Sequence, residues 1–249
     1  MYNFEIYNSK RYKTKEDRCF MPREKYSCGY ANDLYKPFKL KEQKFDLRLK
    51  QGAYYIVRFD GKEMTAAYKI KHTPINTVFF DTMEETFKNF CKSTPNVLFA
   101  FSFSDEISIL IKASNNPDSE NNRLEKMLSL LSGKLALLFY HSAIKHKLDL
   151  QNKDWVFDAR IIEVSKQDAP DYFLARQAFA IDKYIMQLKG EYHIDYKLNT
   201  SETVLSELEK VGVHYNQLPE KYRYGLIYRK DKELESFDFD VHKELLCKY

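Results

Sequence analysis

Two rhythms of apolar spacing alternate between residues 53 and 190. Tyr54-Tyr55-Ile56-Val57-Arg58-Phe59 is an aromatic and β-branched run that stops at Asp60-Gly61, which predicts a strand followed by a tight turn. Thr82 to Cys91 carries Met83, Phe87 and Phe90 at helical spacing. Val97 to Phe103 and Ile107 to Ile111 are apolar strands on either side of Ser104-Asp105-Glu106, which predicts a hairpin with an acidic tip. Arg123 to Ile144 predicts a long amphipathic helix with Leu124, Met127, Leu128, Leu131, Leu135 and Leu138 turned inward. Trp155 to Val164 reads as another strand and Asp171 to Lys189 as a second long helix. The order β-α-β-β-α-β predicts an α+β, ferredoxin-like core: an antiparallel sheet with helices on one face. Polymerase palms use this order, and so do many unrelated proteins, so function has to be argued from particular residues.

The flanks differ in character. Residues 1–50 are rich in Lys, Glu, Tyr and Asp with weak periodicity, and predict an irregular or partly helical N-terminal extension. Residues 51–190 form the expected palm-like catalytic domain. Residues 191–249 form a C-terminal elaboration, with a helix over Glu202 to Val211 and a Tyr-rich strand over Tyr222 to Tyr228. In a chain of 249 residues, 44% hydrophobic and 31% charged residues specify a globular fold rather than a disordered chain. Seven glycines and seven prolines exclude a collagenous or linker-rich architecture. A net charge of +4 permits an anionic partner without requiring one. Cys19, Cys28, Cys91 and Cys247 show no metal-ligand or disulfide-framework spacing, which suits a reducing cytoplasm. Met1 to Asn8 is polar, and no apolar stretch approaches the roughly 20 residues of a membrane helix, so no membrane association is expected.

Asp60 ends the first core strand, and Asp105 with Glu106 forms the hairpin tip. In this topology the first strand lies beside the second strand of the hairpin, so the strand end and the tip can meet on one edge. Carboxylates gathered there repel one another unless a cation intervenes. Mg2+ takes oxygen ligands and shares one or two carboxylates with substrate phosphates. Spacing by itself leaves open that Asp60-Gly61 is an ordinary turn and Asp105-Glu106 an ordinary hairpin tip.

The residues resemble the tRNA-histidine guanylyltransferase family and its bacterial and archaeal relatives, the 3′-to-5′ polymerases. Val57-Arg58-Phe59-Asp60-Gly61-Lys62 is similar to the family's first metal motif, and Phe103-Ser104-Asp105-Glu106-Ile107-Ser108 to its second. Arg123, Lys126 and Ser129 match a helix that places basic and hydroxyl groups on triphosphate. Phe157-Asp158-Ala159-Arg160 resembles a strand motif, and Tyr172 to Gln177 the aromatic-x-x-Arg-Gln segment after it, with a weaker echo at Lys221 to Gly225. The resemblance implies two Mg2+ ions held by Asp60, the Gly61 carbonyl and Asp105, with Glu106 also catalytic. It implies a nucleotide site over Asp60, Gly61, Lys62, Glu63, Met64, Thr65, Ser104 and Asp105. Triphosphate or RNA contacts would come from Arg58, Arg123, Lys126, Ser129, Arg160 and Arg176. The implied partners are a tRNA or other structured RNA, GTP and ATP. The implied activity is nucleotide addition, guanylate first, to an RNA 5′ end in the 3′-to-5′ direction by a cytoplasmic homotetramer or dimer.

The sequence also departs from the family. Met64 and Thr65 stand where an aromatic and a His are usual, and Thr73-Pro74 replaces a Lys-Pro pair, with Lys69, Lys71 and His72 just upstream. Ala180-Ile181-Asp182-Lys183 replaces a His-Ile-Asn-Asn run, which favours the branch that repairs truncated 5′ ends. Two other readings stand beside this one: a palm enzyme making cyclic or oligonucleotide products from nucleotides alone, and a non-catalytic RNA-binding module.

Overall fold

The computed structural model describes residues 28–64, 76–116, 119, 122–150, 154–195, 197 and 200–230. Contacts divide the chain into two compact units, one ending at Leu47 and the other beginning at Arg48. In the first, helix α1 (Cys28–Glu42) leads into a 3-10 turn (Gln43–Phe45). The hydroxyl of Tyr35 donates to the Glu42 carboxylate at 2.6 Å, two helical turns along the same face.

The second unit is built on β1 (Tyr54–Gly61), α2 (Thr77–Ser93), β2 (Val97–Phe103), β3 (Glu106–Lys112), α3 (Leu124–His146) and β4 (Phe157–Val164). Helices α4 (Asp168–Glu191), α5 (Ser201–Lys210) and α6 (Glu220–Tyr224) and strand β5 (Leu226–Arg229) follow. The sheet order is β4-β1-β3-β2-β5, and every neighbouring pair is antiparallel. This is the expected α+β, ferredoxin-like arrangement with one strand added beside β2.

Alternation along the strands decides which layer each residue joins. Tyr55, Val57 and Phe59 of β1 and Ile107, Ile109 and Ile111 of β3 point to one face, where α2 brings Phe79, Met83, Phe87 and Phe90 and α3 brings Leu135, Phe139 and Ala143. The start of α2 is set by Asn76, whose side chain accepts from the Phe79 N–H at 3.1 Å and satisfies a donor of the first turn. The periodicity from Thr82 therefore marks only the middle of this helix. Ile56, Phe99, Phe101, Phe103 and Leu110 point to the opposite face, under Phe173, Ile185 and Leu188 of α4 and Val204 and Leu208 of α5. The two crossover helices do share one face; α4 and α5 then cover much of the other. That second layer explains why every residue of β2 is buried. On the edge strand β4, in contrast, Asp158, Arg160 and Ile162 are exposed.

Two expectations change. Helix α3 is by length and composition apolar enough to cross a membrane, with a mean hydropathy of 1.4 over 18 residues, contrary to the reading that no stretch approached this. Leu135, Phe139 and Ala143 are packed against the sheet, while Leu130, Leu137 and Ile144 remain exposed. The stretch Tyr222 to Tyr228 is not one strand. Pro219 caps the short helix α6, and Gly225 at φ 84° breaks the chain before β5 begins. A Cβ on Gly225 would lie 2.6 Å from the Phe101 ring and from the Ser102 carbonyl, both at the β2 seam that β5 completes. Gly225→Ala is expected to destabilise the protein by about 2 kcal/mol or more, read as a lower urea midpoint at unchanged m.

Candidate functional site

The β1–β3 register pairs Asp60 with Glu106, and the β1–β4 register pairs the same Asp60 with Asp158. The hairpin tip is bonded to the strand end by its backbone, because the Gly61 N–H donates to the Asp105 carbonyl at 3.1 Å. Ser104 makes the turn in the left-handed region at φ 57°, and its hydroxyl donates to Asp105 Oδ1 at 3.2 Å. Gly61 is required by close approach: a Cβ there would sit 2.3 Å from the sulfur of Met64 and 3.0 Å from Asp105 Cβ. Met64 is buried over the glycine within the α2–α3 core, so its side chain acts as a floor beneath the turn.

Asp60, Ser104, Asp105 and Glu106 form one wall of a cleft with about 480 Å³ of space open to solvent. The opposite wall is one face of α4, with Arg176, Phe179, Lys183 and Gln187 at helical spacing. Asp105 is only 6% exposed. Burial pushes its carboxyl up to about 6 and the charge of Asp60 pushes the same way, while its own backbone, Lys183 and the Ser104 hydroxyl oppose them. Among the described residues no three His, Cys, Asp or Glu side chains gather at metal-binding spacing. The oxygen donors that line the cleft on this wall are carboxylates, those of Asp60 and Asp105 foremost. That hard-oxygen set fits Mg2+, which fills its remaining positions with water and phosphate oxygens.

Glu106, expected to be catalytic, lines the same cleft as Asp60 and Asp105 and is also held by arginine. Arg176 of α4 donates to both of its carboxylate oxygens, from Nε at 2.9 Å and from a terminal nitrogen. Arg58 approaches the same carboxylate at 3.6 Å. Behind this pair the hydroxyls of Ser108 and Tyr172 lie 3.4 Å apart. Gln177, next to Arg176, is fully buried and its amide donates to the Tyr224 carbonyl at 2.7 Å. The Arg-Gln dipeptide therefore ties α4 to the hairpin with one residue and to the turn before β5 with the next.

Other expected site residues are spread out. Lys62 and Glu63 are exposed just beyond Gly61. Thr65, Lys69, Lys71, His72, Thr73 and Pro74 lie outside the described residues, as do Cys19 and Cys247. Arg160 is exposed beside Arg58 on the same face and approaches Asp158 on its own strand at 3.8 Å. Arg123, Lys126 and Ser129 belong to the start of α3, at the other end of the sheet. Arg123 bridges Arg48, and the Leu49 N–H donates to the Asn122 carbonyl at 2.9 Å, near the start of β1. Asp60 lies six residues along β1 from Tyr54, a span of about 20 Å, and α3 packs on the opposite face. The structure does not bring these three side chains to the acidic pair within one chain. Sequence reasoning assigned no site role to Phe179 or Gln187, and it marked Lys183 only as the end of the Ala180-Ile181-Asp182-Lys183 run. The signal was their spacing from Arg176 along one helical stripe.

Known proteins similar to this chain point to one family. Residues 35–165, just over half of the chain, match the family model of tRNAHis guanylyltransferase. The chain is 26% identical over 229 residues to a probable tRNA(His) guanylyltransferase of Dictyostelium discoideum, spanning 80% of this chain and 84% of that one. It is 23% identical over 222 residues to an uncharacterised protein of Acanthamoeba polyphaga mimivirus, spanning 76% and 74%. A solved bacterial tRNA(His) guanylyltransferase-like protein in complex with ATP matches with a TM-score of 0.70 at 20% identity, over 84% of this chain and 95% of that one. The tRNA(His) guanylyltransferase of Saccharomyces cerevisiae matches with a TM-score of 0.60 at 20% identity, over 76% and 91%. The structural likenesses establish the palm-type fold, and the family match establishes kinship: the chain belongs to the tRNAHis guanylyltransferase family and is a nucleotidyltransferase.

Proposed function

We propose that this protein adds nucleotides, guanylate first, to the 5′ end of a tRNA or similar structured RNA in the 3′-to-5′ direction, using two Mg2+ ions. The observation that carries this reading is the pairing of Asp60 with Glu106, which sets Asp60 and Asp105 on one wall of one cleft. Family membership supports tRNA guanylyl transfer, and bacterial relatives solved with ATP and with GTP support those two nucleotides as ligands.

In this reading Asp60, Asp105 and the Gly61 carbonyl hold the metal. Bound Mg2+ would lower the pKa of the attacking hydroxyl and neutralise charge on the phosphates. The 3′ oxygen of the incoming nucleotide bonds to the 5′ α-phosphorus of the RNA, and pyrophosphate leaves, or AMP where the end was first adenylylated. Arg176 and Arg58 hold Glu106, and through it the hairpin, at a fixed height under α4. Ser104 orients Asp105 by donating to one of its oxygens. A homotetrameric or dimeric assembly belongs to the same proposal and is read by light scattering of the purified chain.

Three outcomes are expected. Asp60→Ala and Asp105→Ala each lower guanylate addition to a 5′-truncated tRNA transcript by roughly a thousandfold or more, measured by sequencing the 5′ ends formed. Full activity in either variant would overturn the assignment. A parallel incubation of the wild-type protein with ATP, GTP and Mg2+ but no RNA should yield no cyclic or oligomeric product.

The Asp105 carboxyl, raised from 3.8 to about 6, makes the metal-free protein pH-sensitive in a definite direction. Between those values the folded state binds more protons than the unfolded state, so stability falls as pH rises through that window. Asp105→Asn removes this dependence. Without metal the variant should match the wild type near pH 4 and melt at a higher temperature above pH 6, and saturating Mg2+ should narrow the gap by stabilising only the wild type.

Arg176→Lys should lower the melting temperature and the activity together, because an ammonium cannot supply the two-point bond that a guanidinium makes to Glu106. Unchanged melting in that variant would show that the pair does not hold α4 to the hairpin.

A further inference from the structure

The α4 wall of the cleft carries two exposed side chains that the packing of the fold does not explain. Phe179 is 55% exposed beside a charged cleft, although α4 has Phe173, Tyr184, Ile185 and Leu188 to bury against the sheet. The Arg176 guanidinium stacks on its ring with 4.9 Å to the centroid, while the same group is fastened to Glu106. The ring is thus fixed in place with much of its surface left open. One turn further along, the exposed Lys183 lines the same cleft. Among the described residues no hydrogen bond or ion pair engages its ammonium, and its charge is felt by Asp105 across the cleft. An aromatic face and a cation one helical turn apart, opposite two carboxylates, match the two parts of a nucleotide: a base that stacks and a phosphate that needs a counter-charge.

We propose that Phe179 and Lys183 form a nucleotide subsite on α4, in which a base stacks on the Phe179 ring and its 5′ phosphate is met by Lys183. This rests on the reading of the acidic wall as the transfer site, because it places the bound phosphate between Lys183 and the carboxylates. The occupant is the 5′-terminal nucleotide of the RNA or a free nucleoside triphosphate, which share this chemistry.

The test uses the full-length protein and four variants: Phe179→Ala, Phe179→Trp, Lys183→Ala and Lys183→Arg. Both positions are exposed, so melting temperatures should stay at the wild-type value. A short RNA labelled at its 3′ end is titrated in 5′-phosphate and 5′-hydroxyl forms, and ATP is titrated by calorimetry. Phe179→Ala should weaken binding about tenfold whether or not the phosphate is present, with Trp restoring it, as expected for one lost base stack. Lys183→Ala should erase the preference for the 5′-phosphate form and Arg should keep it. If the losses fall on ATP and spare both RNAs, the occupant is the free nucleotide; if they fall on RNA, it is the RNA end. Wild-type binding of all three ligands by Phe179→Ala and Lys183→Ala overturns the proposal. These binding measurements need no turnover, so they stand apart from the Asp60 and Asp105 activity assays that decide the transfer reaction itself.

Discussion

Seven residue pairs hold β1 against β3, from Tyr54 opposite Lys112 to Asp60 opposite Glu106, and both the core and the site depend on that register. A slip of one residue would reverse the face of every side chain in β1. Val57 and Phe59 would leave the α2–α3 core, and Asp60 would turn into it. The apolar residues therefore hold the acidic residue in place: the burial of Val57, Phe59, Ile107 and Ile109 defines one register, and that register puts Asp60 at the cleft.

The two faces of the sheet divide the work. The α2–α3 face is apolar up to the tip, where Met64 closes it beneath Gly61. The α4 face is apolar over β2 and turns polar toward β1 and β4, with Glu106, Asp60 and Asp158 in one row and Ser108, Arg58 and Arg160 in the next. Arginine behind carboxylate is a stable order only if each charge has a partner in a partly dry environment. Glu106 meets that condition by taking Arg176 and Arg58, and it lines the cleft together with Asp60 and Asp105.

Asp105 illustrates the tension between stability and function. Its burial and the neighbouring charge of Asp60 disfavour ionisation, and a folded protein without a cation carries that strain. A divalent ion held by Asp60 and Asp105 would offset it and would supply positions for phosphate oxygens. Strain of a second kind sits beside it, in the left-handed backbone of Ser104, which turns the hairpin so that Asp105 faces β1.

Local pattern determined much of this protein. The β-α-β-β-α-β order, the hairpin tip at Asp105 and the strand end at Asp60 were legible because periodicity, turn residues and the abrupt stop at Asp60-Gly61 are encoded in adjacent residues. The family resemblance was legible for the same reason, since its motifs are short and contiguous. Tertiary structure alone decided the rest. Nothing adjacent to Glu106 announces that Arg176, seventy residues away, will claim it. Helical spacing groups Arg123, Lys126 and Ser129 correctly with one another, yet only the sheet shows that α3 begins at the end opposite the acidic tip. Phe179 and Lys183 look like ordinary surface residues until α4 is laid across the sheet. Contacts within a few residues are written in one stretch of chain, whereas which element faces which cleft depends on how distant apolar surfaces pack.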